Sequence, residues 1–161
     1  MRRVIGIGET ILDLLFKNNQ PTVAVPGGSV FNGLVSLGRA GAKVTFISEV
    51  GGDRVGNIIL DFMKENGICT DSVVVYPDRK SPISLAFLNE KNDAEYSFYK
   101  DYPGLRLDVD MPEVTSDDIV MFGSFYAITP QLRDKVKELL DKARKVGAII
   151  YYDVNFRSTH A

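Results

Sequence analysis

Residues 26–56 read PGGSVFNGLVSLGRAGAKVTFISEVGGDRVG, and their punctuation decides the fold. Two adjacent glycines, Gly27 and Gly28, break the chain ahead of Val30–Arg39, an apolar-periodic run that reads as a helix stopping at Gly41. Ala42–Val50 (AKVTFISEV) is rich in β-formers and is closed by Gly51-Gly52-Asp53. A second helix, about Val55–Asn66, places Ile58, Ile59, Phe62 and Met63 on one stripe and ends at Gly67. Upstream, Arg3–Gly8 (RVIGIG) is a short apolar run ending in glycine, the mark of a buried strand. Strand, glycine-marked helix, strand, helix is the grammar of a parallel sheet with helical cover.

The middle of the chain changes period. Ser72–Tyr76, Ile83–Asn89 and Ala94–Tyr99 read as short strands, the last two joined by the turn Glu90–Asp93 into an antiparallel hairpin. These three are expected to form a small sheet apart from the main one. The parallel pattern then resumes. Ile119–Gly123 is a buried-type strand. Thr129 is placed as an N-cap before Pro130 at the first helical position. Leu132, Val136, Leu139, Leu140 and Ala143 make the apolar face of a helix ending at Gly147. Ala148–Val154 is a further strand, with Asp153–Arg157 at its carboxyl end. The expected fold is α/β, one domain over residues 1–161. In open α/β sheets ligands bind beyond the carboxyl ends of the strands. Gly8-Glu9, Gly51–Asp53, Gly123-Ser124 and Asp153–Arg157 all fall there.

Composition narrows the partners. The 161 residues are 45% hydrophobic and 25% charged, with a net charge of −2, which gives no argument for nucleic acid or an anionic membrane as partner. No run approaches the roughly 20 apolar residues of a membrane helix. The start, MRRVIGIGE, meets Glu9 too early for a signal peptide. Cys69 is the only cysteine, expected to be a plain buried or half-buried thiol, and no internal disulfide can form, which fits a reducing cytoplasm. His160, the only histidine, sits one residue from the last and is a poor candidate for a catalytic base. No metal site is expected. A P-loop pattern is missing, and Gly6-x-Gly8 lacks the third glycine of a dinucleotide fingerprint, with Ile11 in its place.

Two features carry chemistry. Gly27-Gly28 at a helix start lets backbone amides approach a ligand, and Asn32, about one turn on, can donate and accept as a sugar diol requires. A tight turn beside a solvated Asn is the plain alternative. Asp13 lies between Leu12 and Leu14, where a carboxylate needs a polar partner or a polar cleft. A capped turn would also satisfy it.

Asp13, Gly27-Gly28, Asn32 and Gly51-Gly52-Asp53-Arg54-Val55-Gly56 together resemble the N-terminal signature of the ribokinase/PfkB carbohydrate kinases. Gly8-Glu9 with Asp13-Leu14 and the D-x-N-x-R segment Asp153–Arg157 resemble the fructokinase and 2-keto-3-deoxygluconate kinase branches. Leu34 departs from the pattern, which has a small residue two positions after the Asn.

The resemblance implies a ribokinase-like fold whose lid strands, from about 11–25 and 72–102, close over the sugar and can pair two subunits into a homodimer. It places Asp13, Gly27, Gly28 and Asn32 on the sugar, with Phe98 and Lys100 on the second lid strand against it. Asn155 and Arg157 would lie near the transferred phosphate, and Arg157 or Lys100 could instead meet a substrate carboxylate. An exposed aromatic-basic strand face and a surface arginine are the plain readings of those last groups. The implied reaction is ATP- and Mg²⁺-dependent phosphorylation of a sugar hydroxyl, with fructose the first candidate and 2-keto-3-deoxygluconate the second. A nucleoside kinase fits the D-x-N-x-R segment less well. The family's G-A-G-D segment, whose Asp is the catalytic base, does not occur in these residues. The 161-residue chain is therefore expected to be a shortened, sugar-binding portion without the ATP-binding half, inactive alone. The rival is a non-catalytic sugar-binding or sensor module.

Overall fold

A computed structural model of the chain describes residues 2–91, 93–101 and 106–155. Strands β1 (Val4–Ile7), β4 (Val44–Gly51), β9 (Ile119–Gly123) and β10 (Ile149–Asp153) lie in one parallel sheet, in the order β10-β9-β1-β4. The edge beyond β4 is shared by β5 (Ile68–Cys69) beside Val44-Thr45 and β6 (Val73–Tyr76) beside Ser48–Gly51. β5 and β6 are thus one edge strand broken by a turn. This corrects the expectation that Ser72–Tyr76 belongs with the small sheet. It follows a helix, and the crossover returns it parallel to β4.

The second sheet is β3-β2-β7-β8, built from β2 (Ile11–Lys17), β3 (Gln20–Gly27), β7 (Ile83–Leu88) and β8 (Ala94–Tyr99). The β2/β3 and β7/β8 pairs are antiparallel, as expected of a lid, while β2 and β7 run parallel.

β1 is buried on both faces, as a central parallel strand must be. Ile5 and Ile7 point to α3 (Pro130–Val146) and pack with Leu132, Val136, Leu139 and Ala143. Gly6 and Gly8 point to α1 (Ser29–Arg39). A β-carbon on Gly6 would stand 2.4 Å from Leu34 Cδ1, and one on Gly8 2.9 Å from Val30 Cβ. The large residue at 34 is accommodated because Gly6 presents no side chain beneath it.

Helix α2 (Arg54–Glu65) buries Gly56, Ile59 and Met63 and packs Phe62 partly, but Ile58 faces solvent at 43% exposure. Ile58 sits a helical step off the stripe expected for it. Thr129 precedes α3 without capping it by side chain, because its hydroxyl donates to the Phe125 carbonyl at 2.9 Å. Cys69 is exposed, correcting the buried expectation: on a two-residue edge strand Ile68 takes the inward position and the thiol alternates outward. All five residues of β10 are exposed. Among the described residues no helix is long and apolar enough to cross a membrane.

Candidate functional site

The chain leaves β1 for β4 on one side and later adds β9 on the other. The neighbouring carboxyl ends of β1 and β9 are therefore a topological switch point, the place where open α/β sheets receive ligands. The first turn of α1 sits over it. Val30 packs on Gly8, and its Cγ2 lies 3.3 Å from a β-carbon position on Gly123.

Gly28 caps α1 with φ 142° and no side-chain cap. Any side chain there would meet the Glu9 carbonyl oxygen at 2.3 Å, so both the backbone angle and the crowding require glycine. Gly27 closes β3 opposite Ile11, and a β-carbon on it would stand 2.6 Å from Asp13 Oδ2. Asp13 is half-buried in mid-β2, between Val25 on β3 and Ser84 on β7. Burial pushes its carboxyl up from the ordinary value, and the hydrogen bond donated by the Ser84 hydroxyl offsets this in part. Asn32 is exposed on the first turn of α1, its N–H donating to the Gly28 carbonyl at 3.0 Å.

The lid register continues the row outward. Asp13 faces Ser84, and Ser84 faces Phe98, which is 59% exposed. Lys100, just past β8, lies 5.2 Å from the Phe98 ring centroid and donates to both Glu9 carboxylate oxygens, at 2.8 and 3.0 Å. The structure thus links Asp13, Gly27, Gly28, Phe98 and Lys100 through direct contacts or strand register, with Asn32 one turn away. Asn155 follows β10, two strands from β1 and so about 10 Å off. It has φ 40°, and its N–H donates to Asp153 Oδ1 at 3.0 Å. Arg157 and His160 lie outside the described residues.

Two residues of the site escaped the sequence reading. Ser84, fully buried between apolar neighbours, was legible as a polar side chain that needs a partner. Glu9 was read at a strand end and in the family resemblance but not as a partner of Lys100, because a pairing across 91 residues leaves no local signal.

Gly51–Gly56 serves a different purpose. Asp53 caps α2 by accepting from the Gly56 N–H at 2.8 Å, and it accepts from the Ser81 N–H at 3.1 Å and hydroxyl at 2.8 Å. Burial alone would push its carboxyl up, but these hydrogen bonds hold it below the ordinary range. The loop therefore clasps the segment that enters lid strand β7. Beside it, a groove lined by Glu49, Tyr76, Arg79, Lys80 and Asp101 is flanked by two ion pairs. Arg79 meets Asp101 at 3.3 Å, and Arg106 is ion-paired to the buried Glu49. Among the described residues no three His, Cys, Asp or Glu side chains gather as a metal site.

Comparisons with known proteins agree with this architecture. The pattern of the pfkB family carbohydrate kinases matches residues 1–160. The probable fructokinase-4 of Arabidopsis thaliana is 22% identical over 170 residues, covering 96% of this chain and 51% of that protein. The chain spans about half the length of the curated relatives it matches. In fold it is similar to a PfkB protein from Polaromonas, at TM-score 0.83 and 22% identity, covering 99% of this chain and 57% of that one. It is also similar to the ATP-bound fructokinase of Xylella fastidiosa, at TM-score 0.76 and 23% identity, covering 98% of this chain and 50% of that one. With a ribokinase-like sheet, a small lid sheet and a family match over nearly its whole length, this chain belongs to the pfkB family of carbohydrate kinases.

Proposed function

We propose that this chain is the sugar-binding portion of an ATP-dependent sugar kinase, with a ketose such as fructose as the substrate that fits best. The observation that carries this reading is the row Asp13, Gly27 and Gly28 beside the first turn of α1, at the switch point of the sheet. A half-buried carboxylate next to a bare backbone offers an acceptor for sugar hydroxyls without a side chain in the way. Asn32 supplies a donor and an acceptor one turn on, and Phe98 gives an apolar face for the ring edge. Asp13 and Asn32 orient the sugar, and the lid strands exclude water from it.

ATP with Mg²⁺ would supply the phosphoryl group, and none of the described residues is assigned to the metal. Asn155 and Arg157 are proposed to stand near the phosphate. The G-A-G-D segment does not occur in these 161 residues, so the step that takes the proton from the sugar hydroxyl is not assigned to them, and the chain alone is expected to bind sugar without phosphorylating it. A homodimer through the lid is supported by the exposed apolar residues Val23, Val25, Tyr96 and Phe98 on its two outer strands.

A thermal-shift screen of the chain against fructose, 2-keto-3-deoxygluconate, ribose and adenosine tests the reading. Stabilisation by fructose above the others is expected. Stabilisation by adenosine alone, or ATP-dependent sugar phosphorylation by the purified 161 residues, would contradict it.

A further inference from the structure

We infer that the Glu9–Lys100 ion pair acts as a charge filter at the rim of the sugar site, admitting uncharged polyols and turning away substrates that carry a carboxylate. The inference rests on the sugar-kinase reading above and names the substrate class for that site.

The two residues come from different layers. Glu9 belongs to the turn between β1 and β2, with its carbonyl oxygen pressed on Gly28. Lys100 belongs to the lid, reached through the register Asp13–Ser84–Phe98. Their meeting is two-pronged, 2.8 and 3.0 Å from Nζ to the two carboxylate oxygens, with 31% of the lysine side chain and 24% of the glutamate side chain exposed. The ammonium also lies over the Phe98 ring. Such a pair presents nearly zero net charge to the cleft.

A sugar hydroxyl can approach it and exchange hydrogen bonds without separating the charges. A carboxylate cannot. To use the lysine it must displace Glu9, breaking a charge-assisted contact made at two points, or else sit beside the Glu9 anion in a partly desolvated cleft, where like charges are costly. Two neighbouring arginines are engaged, Arg79 by Asp101 and Arg106 by Glu49. Lys100 is a basic group through which an acidic sugar could be held at this rim, and the fold gives it an internal counter-ion. Discrimination of this sort works by an element unfavourable to the wrong ligand as much as by contacts to the right one.

The test is calorimetric titration of the 161-residue chain with D-fructose and with 2-keto-3-deoxy-D-gluconate, in the native sequence and in Glu9→Gln, Glu9→Asp and Lys100→Gln. The native chain is expected to prefer fructose. Glu9→Gln takes the Glu9 anion away from Lys100 and should move the ratio of the two association constants toward the acid by about tenfold. Glu9→Asp keeps the charge and should keep the native preference. Lys100→Gln leaves Glu9 uncompensated and should move the ratio further from the acid. A native chain that binds the acid as tightly as fructose overturns the filter. So does a ratio that stays within about twofold in Glu9→Gln, or in Lys100→Gln should Glu9→Gln lose its cooperative melt. If the native chain binds neither compound, the sugar-kinase reading fails and the filter with it. Fructose binding with an unmoved ratio removes the filter alone.

Discussion

A β-carbon on Gly27 would stand 2.6 Å from Oδ2 of Asp13, so the end of β3 and the middle of β2 are fitted to each other through a missing side chain. Gly27→Ala should therefore displace the Asp13 carboxyl while leaving the helix start intact, and cost sugar affinity about tenfold or more. Gly28→Ala strikes backbone, the Glu9 carbonyl at 2.3 Å, from a φ of 142°. It should lower the melting temperature clearly more than Gly27→Ala. Paired thermal melts and fructose titrations of the two variants check the order.

Asp13 itself should be a stability liability. Burial raises its folded pKa, with the Ser84 hydrogen bond opposing, so the contribution favours folding most when the carboxyl is protonated and is lost as pH rises through that folded pKa. Asp13→Asn, which keeps an acceptor for Ser84, should melt at the same temperature as the native chain or higher at pH 7, by on the order of 2 °C, while losing sugar binding. The difference should shrink as pH falls below about 4. Melts at neutral and acid pH measure it.

Asp53 should behave in the opposite sense. Its hydrogen bonds to Gly56 and Ser81 outweigh burial and lower its folded pKa, so its stabilisation is present above the unfolded value and lost as pH falls through the folded one. Asp53→Ala removes a helix cap and leaves buried Ser81 short of a partner, for an expected loss of about 2–4 kcal/mol at pH 7. Urea unfolding at pH 7 and again below pH 4 should show the gap between native and variant narrowing in acid.

The succession of strands and helices in the main sheet was legible from periodicity and glycine punctuation. β1, α1, β4, α2, β9 and α3 alternate as a parallel sheet requires, and Ile119–Gly123 appears with the bounds read from its apolar run. The β5–β6 edge was not legible. Whether Val73–Tyr76 joins β4 or the lid depends on where the crossover returns, and a four-residue apolar run fits either. Ile58 shows the same limit on a helix. Its neighbours fix the stripe, but only the packing of α2 decides which border residue stays wet.

In the site, the residues on β2, β3 and α1 were legible because Asp13 and the glycine pair are anomalous in their surroundings: a carboxylate in an apolar run and two bare backbones before a helix. Partners were not. Ser84 is 71 residues from Asp13, and Glu9 is 91 from Lys100, so the first pair meets only through β2/β7 strand pairing and the second only where the end of β8 reaches the β1–β2 turn. The loop at Gly51–Gly56 was read as a ligand-facing strand end and as part of a family signature, and its contacts are those of a clasp between α2 and the segment entering β7.

The buried Glu49–Arg106 pair gives a further test. Both side chains are nearly inaccessible, and Glu49 also accepts from the Leu107 N–H at 3.0 Å. Arg106→Met should cost about 3–5 kcal/mol by stranding Glu49, and adding Glu49→Leu should recover part of that loss. A double-mutant cycle by chemical denaturation reads the coupling, and simple additivity would contradict it.

The most direct test of the sugar-binding claim is a crystal structure of the chain grown with D-fructose. One sugar is expected beside Gly27 and Gly28, with hydroxyl oxygens at about 2.6–3.2 Å from both the Asp13 carboxylate and the Asn32 amide. Fructose bound elsewhere, or at this site without touching either side chain, would contradict it.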